Sequence, residues 1–370
     1  MFDWKYWLAE FEARVPRLVV ARVPRDSALT AEERARIAGS IATFQLGEQS
    51  EGRTLLRFAR EFGARHSCPE LGRITRRFFH ALGSNIGPDY DVPAPDVGTN
   101  AQTMAWALDT YVNTVGMVKK EAAMGVVTGK PVSSGGTFGR ETATGQGVVH
   151  CICEWARRTR FKLEGKKLIV QGFGNVGSNT AAILATLGVS LVAVGDHTGY
   201  LYNPEGFNVH RLKQYVAQNG SIAGYANGQR ITREEFFGVQ ADVFVPAALE
   251  NQVGAHEAEA LQVRLVAEGA NGPCSPEGEA VLARRGIEVL PDVLANAGGV
   301  TVSYYEWVQN KRSESWTLEE VDHRLEKAMK KAYREVGELA RQKKCSLRVA
   351  AYAVALQRIA AAYGEREIFP

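Results

Sequence analysis

The sequence predicts an α/β protein of two domains, the second built on a parallel, doubly wound sheet. From Lys167 onward, short apolar runs alternate with helix-patterned stretches, as strands linked by crossover helices do. Turns of unusual composition follow the later runs: Pro246-Ala247-Ala248-Leu249-Glu250, Glu268-Gly269-Ala270-Asn271-Gly272-Pro273 and Asn296-Ala297-Gly298-Gly299. Such sheets take their ligands at strand carboxyl ends, so these turns are expected to line a crevice. The chain's 370 residues are also enough for two cores.

Taken in order, residues 1–15 read as an amphipathic helix with Trp4, Trp7, Leu8 and Phe11 on one side, and Leu18 to Ala21 as a strand. Thr30 with Glu33, and Ser67 with Glu70, have the spacing of capping boxes. The first opens a helix through Ile37, Ile41 and Phe44, the second one through Leu71, Ile74, Phe78 and Leu82. A third helix is expected from Gln102 to Val115. Before it, the loop from Gly87 to Asn100 is stiffened by Pro88, Pro93 and Pro95, with Asp96 at its bend. Asp96 either projects into a cleft or caps the following helix. The run Gly125 to Pro131 leads through Gly135, Gly136, Gly139 and Arg140 to a helix containing Thr144-Gly145.

The next stretch carries the chemistry. Leu168-Ile169-Val170 precedes Gly172-Phe173-Gly174-Asn175-Val176-Gly177; a small-residue helix pattern and a second apolar run, Leu191 to Val194, follow and end at Asp196. Strand, glycine turn, helix, strand and acid form a dinucleotide-binding βαβ unit. Gly172 is expected to make the tight turn, Gly174 to let the backbone approach a pyrophosphate, and Gly177 to let helix pack on strand. The helix amides then face the phosphates. Asp196 stands where a carboxylate would accept from an adenosine ribose, which favours NAD over NADP.

Further on, a helix near Val209 to Ala217, a Thr232/Glu235 capping box and strands at Val243–Val245, Leu265–Ala267 and Glu288–Leu290 are expected. Thr317 with Glu320 caps a long helix through Val321, Leu325, Met329, Ala332, Val336 and Leu339, and an alanine-rich helix runs from Leu347 to Tyr363.

A content of 45% hydrophobic and 23% charged residues is that of an ordinary globular protein. The net charge of +3 forms no basic stripe, which argues against nucleic acid as a partner. The five cysteines show no zinc spacing, so reduced thiols and a cytoplasmic location are expected. No run has the length of a membrane span, and the first residues do not read as a signal peptide.

Taken together, these motifs resemble the glutamate/leucine/phenylalanine/valine dehydrogenase family. Pro93 to Asp96, Gly125 to Pro131, Gly172 to Gly177, Val266 to Pro273 and Ala295 to Gln309 stand almost as the family has them. The resemblance implies a substrate and assembly domain over residues 1–145 and a Rossmann-like NAD-binding domain with its linking helix over 146–344. A C-terminal helix, about 345–370, would pack back on the first domain. It implies oxidative deamination of glutamate to 2-oxoglutarate, usually in hexamers. Thr144, Asn175 and Ala247 would serve the dinucleotide beside Gly172, Gly174, Val176 and Gly177, with Asn271 and Asn296 near its nicotinamide end. Ser303 would face the substrate side-chain carboxylate, and Asp96 would be the catalytic aspartate.

The chain departs from the family over its first part. The family carries three lysines before that aspartate, two clamping carboxylates and one activating water. Counting back from Arg73 places Leu56 at the catalytic lysine and Phe44 at one clamp. Arg53 to Phe58 replaces a glycine-rich run, and the segment with the other clamp is absent between Pro24 and Leu29. Independently of register, Lys5 is the one lysine before Met117, against thirteen arginines. Arginine can hold a carboxylate but, with a pKa above about 12, cannot act as a neutral base. The expectation is a non-catalytic regulatory or scaffolding subunit, assembled with itself or with a catalytic paralogue, whose truncated N-terminal domain is truncated relative to the family. The alternatives are an active dehydrogenase using another base, with Lys119, Lys120 and Lys130 as candidates, and a plain NAD-binding module. Phe44, Leu55, Leu56 and Phe58 either line a pocket for an apolar amino-acid effector, its ammonium on Asp96, or simply fill space.

Overall fold

The computed structural model describes residues 69–366 apart from 97 and 119–122. The expected elements between Trp4 and Ser67, the positions of Phe44 and Leu56, and Lys119 and Lys120 lie outside the described residues. The chain divides into two compact units. One holds Glu141–Thr301 and Asp322–Pro370; the described part of the other lies before Glu141 and over Val302–Val321.

The larger unit is built on a seven-stranded sheet. Helix α3 (Ala143–Thr159) leads into β1 (Lys167–Gln171), α4 (Asn175–Thr186) and β2 (Ser190–Asp196). Then come β3 (Gly199–Tyr202), α5 (Val209–Asn219), β4 (Gln229–Ile231), α6 (Arg233–Phe237) and β5 (Val243–Pro246). Helix α7 (Ala255–Ala260), β6 (Leu265–Ala267), α8 (Pro276–Arg284), β7 (Glu288–Leu290) and α9 (Asp292–Ala295) complete the alternation. The strand order is β4-β3-β2-β1-β5-β6-β7. The five strands from β2 to β7 are parallel. Strands β1 and β5, at the centre of the sheet, are buried on both faces, which is why they read as unbroken apolar runs rather than alternating ones.

Strands β3 and β4 add an antiparallel edge that the sequence pattern does not announce. The doubly wound sheet is therefore mixed at that edge. Between sheet and helices lies a core of Ile169, Phe236, Phe237, Phe244, Leu261, Val266 and Leu282. The three phenylalanine rings meet edge to face. Helices α3 and α4 approach closely because Gly145 carries no side chain: a Cβ there would lie 2.9 Å from the Thr180 nitrogen.

In the smaller unit, α1 (Pro69–Leu82) packs on α2 (Ala101–Val112). Phe79, Met104, Leu108 and Tyr111 enclose a core with Val126 and Val127. Asn100 caps α2, its side chain accepting from the Thr103 amide at 3.1 Å while Thr103 Oγ1 accepts from the Asn100 amide. This settles one alternative left open by the sequence, since Asp96 is not the cap. Helix α10 (Gly298–Arg312) enters this unit at Val302. Helix α11 (Leu318–Lys343) begins with the expected Thr317/Glu320 box, the Thr317 amide donating to Glu320 at 2.8 Å. Helix α12 (Leu347–Arg366) closes the described chain. Among the described residues no helix is long and apolar enough to cross a membrane.

Candidate functional site

In the larger unit β1 has β2 on one side and β5 on the other, so the strand order reverses there and a crevice opens at the strand carboxyl ends. The turn after β1 fits it. Gly172 has φ +94°, and a Cβ would stand 2.6 Å from the Ala247 carbonyl carbon, so the turns after β1 and β5 lie back to back. At Gly177 a Cβ would fall 1.9 Å from the Gly172 oxygen, so only glycine lets α4 start this close to β1. Gly174 is different: a Cβ there meets nothing within 4 Å. It is exposed at the mouth of the turn. An open face over the N-terminus of a twelve-residue helix suits a pyrophosphate.

Other predicted residues gather on the same rim. Asn175 donates from Nδ2 to the Glu141 oxygen at 2.9 Å, tying the turn to the segment that leads into α3. Thr144, half-buried, stands in the first turn of α3. A Cβ on Gly269 would lie 3.1 Å from both Val176 Cγ1 and Ala247 Cβ, so the turns after β1, β5 and β6 adjoin. Asn296 Nδ2 donates to Asn271 Oδ1 at 2.6 Å, joining the turns that follow β6 and β7.

Asp196 ends β2 as expected, but its carboxylate is turned onto its own loop. Oδ1 accepts from the Thr198 amide at 2.7 Å and from Thr198 Oγ1 at 2.5 Å, and Oδ2 accepts from the Ile222 amide at 2.8 Å. A carboxylate has about four acceptor positions. The sequence reading gave Asp196 to a ribose alone; the structure gives most of its capacity to holding the loop.

In the smaller unit, one face of α10 carries Ser303, Glu306, Trp307 and Asn310, at the helical spacing that places side chains together. Ser303 is buried, and its hydroxyl accepts from Arg140 Nε at 2.8 Å. Burial lowers the Arg140 pKa against the pull of Glu306, and a guanidinium stays charged regardless. Glu306 is buried against Lys130, and Asn310 Nδ2 donates to the Gly135 oxygen at 2.7 Å. The Thr128 amide donates to the Pro93 oxygen at 2.9 Å, and Gly129, with φ +76°, comes against Pro95 where any Cβ would clash. Thus the glycine-rich phrase before Pro131 supports the loop that exposes Asp96. At the end of that loop the Thr99 amide donates to the Asp96 oxygen at 2.9 Å.

Sequence reasoning singled out Ser303 but passed over Glu306 and Arg140. The available signal was the spacing of 303, 306 and 310 on one helix face, opposite a glycine-rich segment with two cations.

A family model for Glutamate/Leucine/Phenylalanine/Valine dehydrogenase matches residues 135–366, and one for the dimerisation domain of the same family matches 63–113. The chain is 47% identical over 304 residues to a glutamate dehydrogenase of Thermotoga maritima, covering 81% of this chain and 72% of that one. It is 41% identical over 296 residues to a cryptic catabolic NAD-specific glutamate dehydrogenase of Bacillus subtilis, covering 80% and 68%. Among solved structures, the hetero-hexameric glutamate dehydrogenase of Thermus thermophilus in its leucine-bound form superposes with a TM-score of 0.77 at 38% identity, covering 82% and 71%. Sequence, sheet order and glycine turn agree with these matches: the chain belongs to the glutamate/leucine/phenylalanine/valine dehydrogenase family.

Proposed function

We propose that this chain is a regulatory or scaffolding subunit of a glutamate dehydrogenase assembly, catalytically silent by itself and retaining an NAD site. The observation that carries the reading is the loss of lysine: Lys5 alone precedes Met117, and a count back from Arg73 without gaps sets Leu56 and Phe44 at family lysine positions. Losing a general base alone costs roughly 10² to 10⁴ in rate. Lost carboxylate clamps compound this through misplacement of the substrate. Lys130, the described candidate for a substitute base, is sealed against Glu306 with no exposed surface.

The nucleotide half supports retention of NAD. Gly172, Gly174, Val176, Gly177 and Ala247 form a turn with an open face, Asn175 and Thr144 stand beside it, and relatives are NAD-specific enzymes. When bound, NAD supplies hydride acceptance. This chain's residues would hold its phosphates on α4 and its nicotinamide end near Asn271 and Asn296.

The partner in this reading is a catalytic paralogue, as the hetero-hexameric relative supports. Residues 1–145 would form the assembly domain and 146–344 the NAD domain; the C-terminal helix, expected to return to the first, groups instead with the sheet unit. The effector would be an apolar amino acid near Phe44 and Leu56, its ammonium on Asp96; the leucine-bound relative favours leucine over glutamate. The second reading is an active dehydrogenase using Lys119 or Lys120, favoured by the retained Asp96 and Ser303.

One assay decides between them: glutamate-dependent NADH formation by the purified chain, alone and co-expressed with an active homologue from the same cell. The proposal expects no turnover alone and altered, leucine-dependent turnover of the partner in the complex. Turnover by the isolated chain at the level of an ordinary family enzyme rejects it.

A further inference from the structure

Arg348, in the first turn of α12, reaches carboxylates on three separate elements. Its Nη2 donates to Glu268 Oε2 at 2.6 Å, Nη1 to Asp292 Oδ1 at 2.8 Å, and Nε to Glu279 Oε2 at 2.8 Å. Glu268 directly follows β6 and its side chain has no exposed surface; Asp292 opens α9; Glu279 lies on α8. Two of these carboxylates pass the constraint onward. Glu268 Oε2 also accepts from the Asp292 amide at 2.8 Å, and Asp292 Oδ2 accepts from the Gly272 amide at 2.8 Å. The two turns so joined carry Asn271 and Asn296, whose side chains meet at 2.6 Å.

A planar guanidinium thus fixes, through Glu268 and Asp292, the relative placement of the two amide side chains on the crevice rim. Net charge balance does not explain the arrangement, since one cation faces three acids, and burial of such groups is a weak source of net stability. What the rigid fork supplies is direction: it holds two acceptors at a fixed angle, which a flexible ammonium does not.

We propose that Arg348 is a positioning residue for the nicotinamide end of the nucleotide crevice, setting the Asn271–Asn296 pair from the C-terminal helix without touching the nucleotide. This rests on the reading that the crevice binds NAD. It makes the two halves of the dinucleotide respond differently. The adenosine and pyrophosphate half would rest on the Gly172–Gly177 turn, which Arg348 does not contact, whereas the nicotinamide half would depend on the turns it fixes.

The test compares the full chain with Arg348→Lys and Arg348→Met, measuring NAD and ADP-ribose affinities by calorimetry and hydrogen exchange of residues 269–273 and 292–297 without nucleotide. Arg348→Met leaves Glu268 buried without its cation and can fail to fold, so Arg348→Lys, which keeps the charge, is the deciding variant. The expected result is a roughly tenfold loss of NAD affinity in Arg348→Lys with ADP-ribose binding unchanged within about twofold. Exchange in both turns should also accelerate more than in the rest of the sheet unit. Equal loss of both ligands, or no loss of either, gives Arg348 a merely structural role and overturns the inference. If the unmodified chain binds neither ligand, the NAD reading fails by itself. Hydrogen exchange still judges the positioning role, which is overturned if the two turns exchange alike in the chain and in Arg348→Lys.

Discussion

Lys130 and Glu306, 176 residues apart, form an ion pair of 2.7 Å in which neither side chain has exposed surface. The Glu306 carboxylate also accepts from the Gly129 amide at 2.9 Å and the Lys130 amide at 3.3 Å, and the ammonium donates to the Val127 oxygen at 2.6 Å. Burial lowers the Lys130 pKa, while the charge and hydrogen bond of Glu306 raise it. Because a desolvated charge must be paired, this site fixes the glycine-rich phrase to α10 and withdraws Lys130 from proton chemistry.

Removing one partner of such a pair leaves the other buried and uncompensated. Lys130→Met is expected to cost about 3–5 kcal/mol of unfolding free energy. Adding Glu306→Gln, which keeps an acceptor for the two amides, should recover part of it. The partly exposed pair of Lys311 with Asp89 gives the contrast, with Lys311→Met costing at most about 1 kcal/mol. Denaturant midpoints measure all three; equal losses in the two single variants would show that the buried pair is not sealed.

The glycine turn allows fold and binding to be separated. Gly177→Ala drives a methyl into the Gly172 oxygen and is expected to destabilise the chain by about 1–3 kcal/mol. Gly174→Ala meets nothing, so its stability cost should stay near about 1 kcal/mol, that of a poorer helix N-cap. If the open face takes the pyrophosphate, however, the same methyl should abolish measurable NAD binding. Calorimetry of Gly174→Ala showing unweakened NAD binding places the nucleotide elsewhere.

What the sequence makes legible follows the range of the forces involved. Strands β1, β2, β5 and β6 are visible because burial along the strand demands continuous apolar runs, and Thr232 and Thr317 mark helix starts because capping is local. The antiparallel edge pair of β3 and β4 is not visible: its strands span four and three residues, too short for alternation to emerge. Asp96 was ambiguous as a cap because Asn100, four positions on, is an equally good one. The direction of the Asp196 carboxylate depends on the Ile222 amide, 26 residues away, and no local pattern reports that. Arg348 is illegible for the same reason, since its partners are assembled only by the fold, whereas Glu306 shows only as a helical spacing with 303 and 310 that does not name its partner.

His150, half-buried on α3, should make the fold sensitive to mild acid. Burial lowers its pKa; Glu326 and Asp322 on α11 pull upward, and Lys330 pushes further down. The unfolded chain then takes the proton first. The stability associated with neutral His150 is present above the unfolded value of about 6.5 and is lost as pH falls through the lower folded value, at up to about 1.4 kcal/mol per pH unit. Melting temperatures should fall more steeply below pH 6.5 in the unmodified chain than in His150→Gln; parallel curves would remove His150 as the cause.

Asp196 should separate loop stability from cofactor preference. Its carboxylate holds the Thr198 and Ile222 amides, so Asp196→Ala is expected to cost about 1–2 kcal/mol by leaving partly buried donors unpaired. Asp196→Asn keeps one oxygen and loses the charge, so its stability cost should be smaller. Because most of the carboxylate's acceptor capacity faces inward, a ribose can draw on little of it, and NAD binding should weaken only slightly in Asp196→Asn. The negative charge is a different matter: it acts through space on a 2′-phosphate whichever way the lone pairs point, by about 1 kcal/mol at 4 Å in water and more where solvent is excluded. Removing it should therefore raise NADP affinity severalfold while leaving NAD nearly unchanged, and the gain should shrink as salt screens the charge. Titrations of both dinucleotides at low and high ionic strength test this. If Asp196→Asn loses NAD affinity as strongly as it gains NADP affinity, the carboxylate does face the ribose, and its bonds to Thr198 and Ile222 must yield on binding.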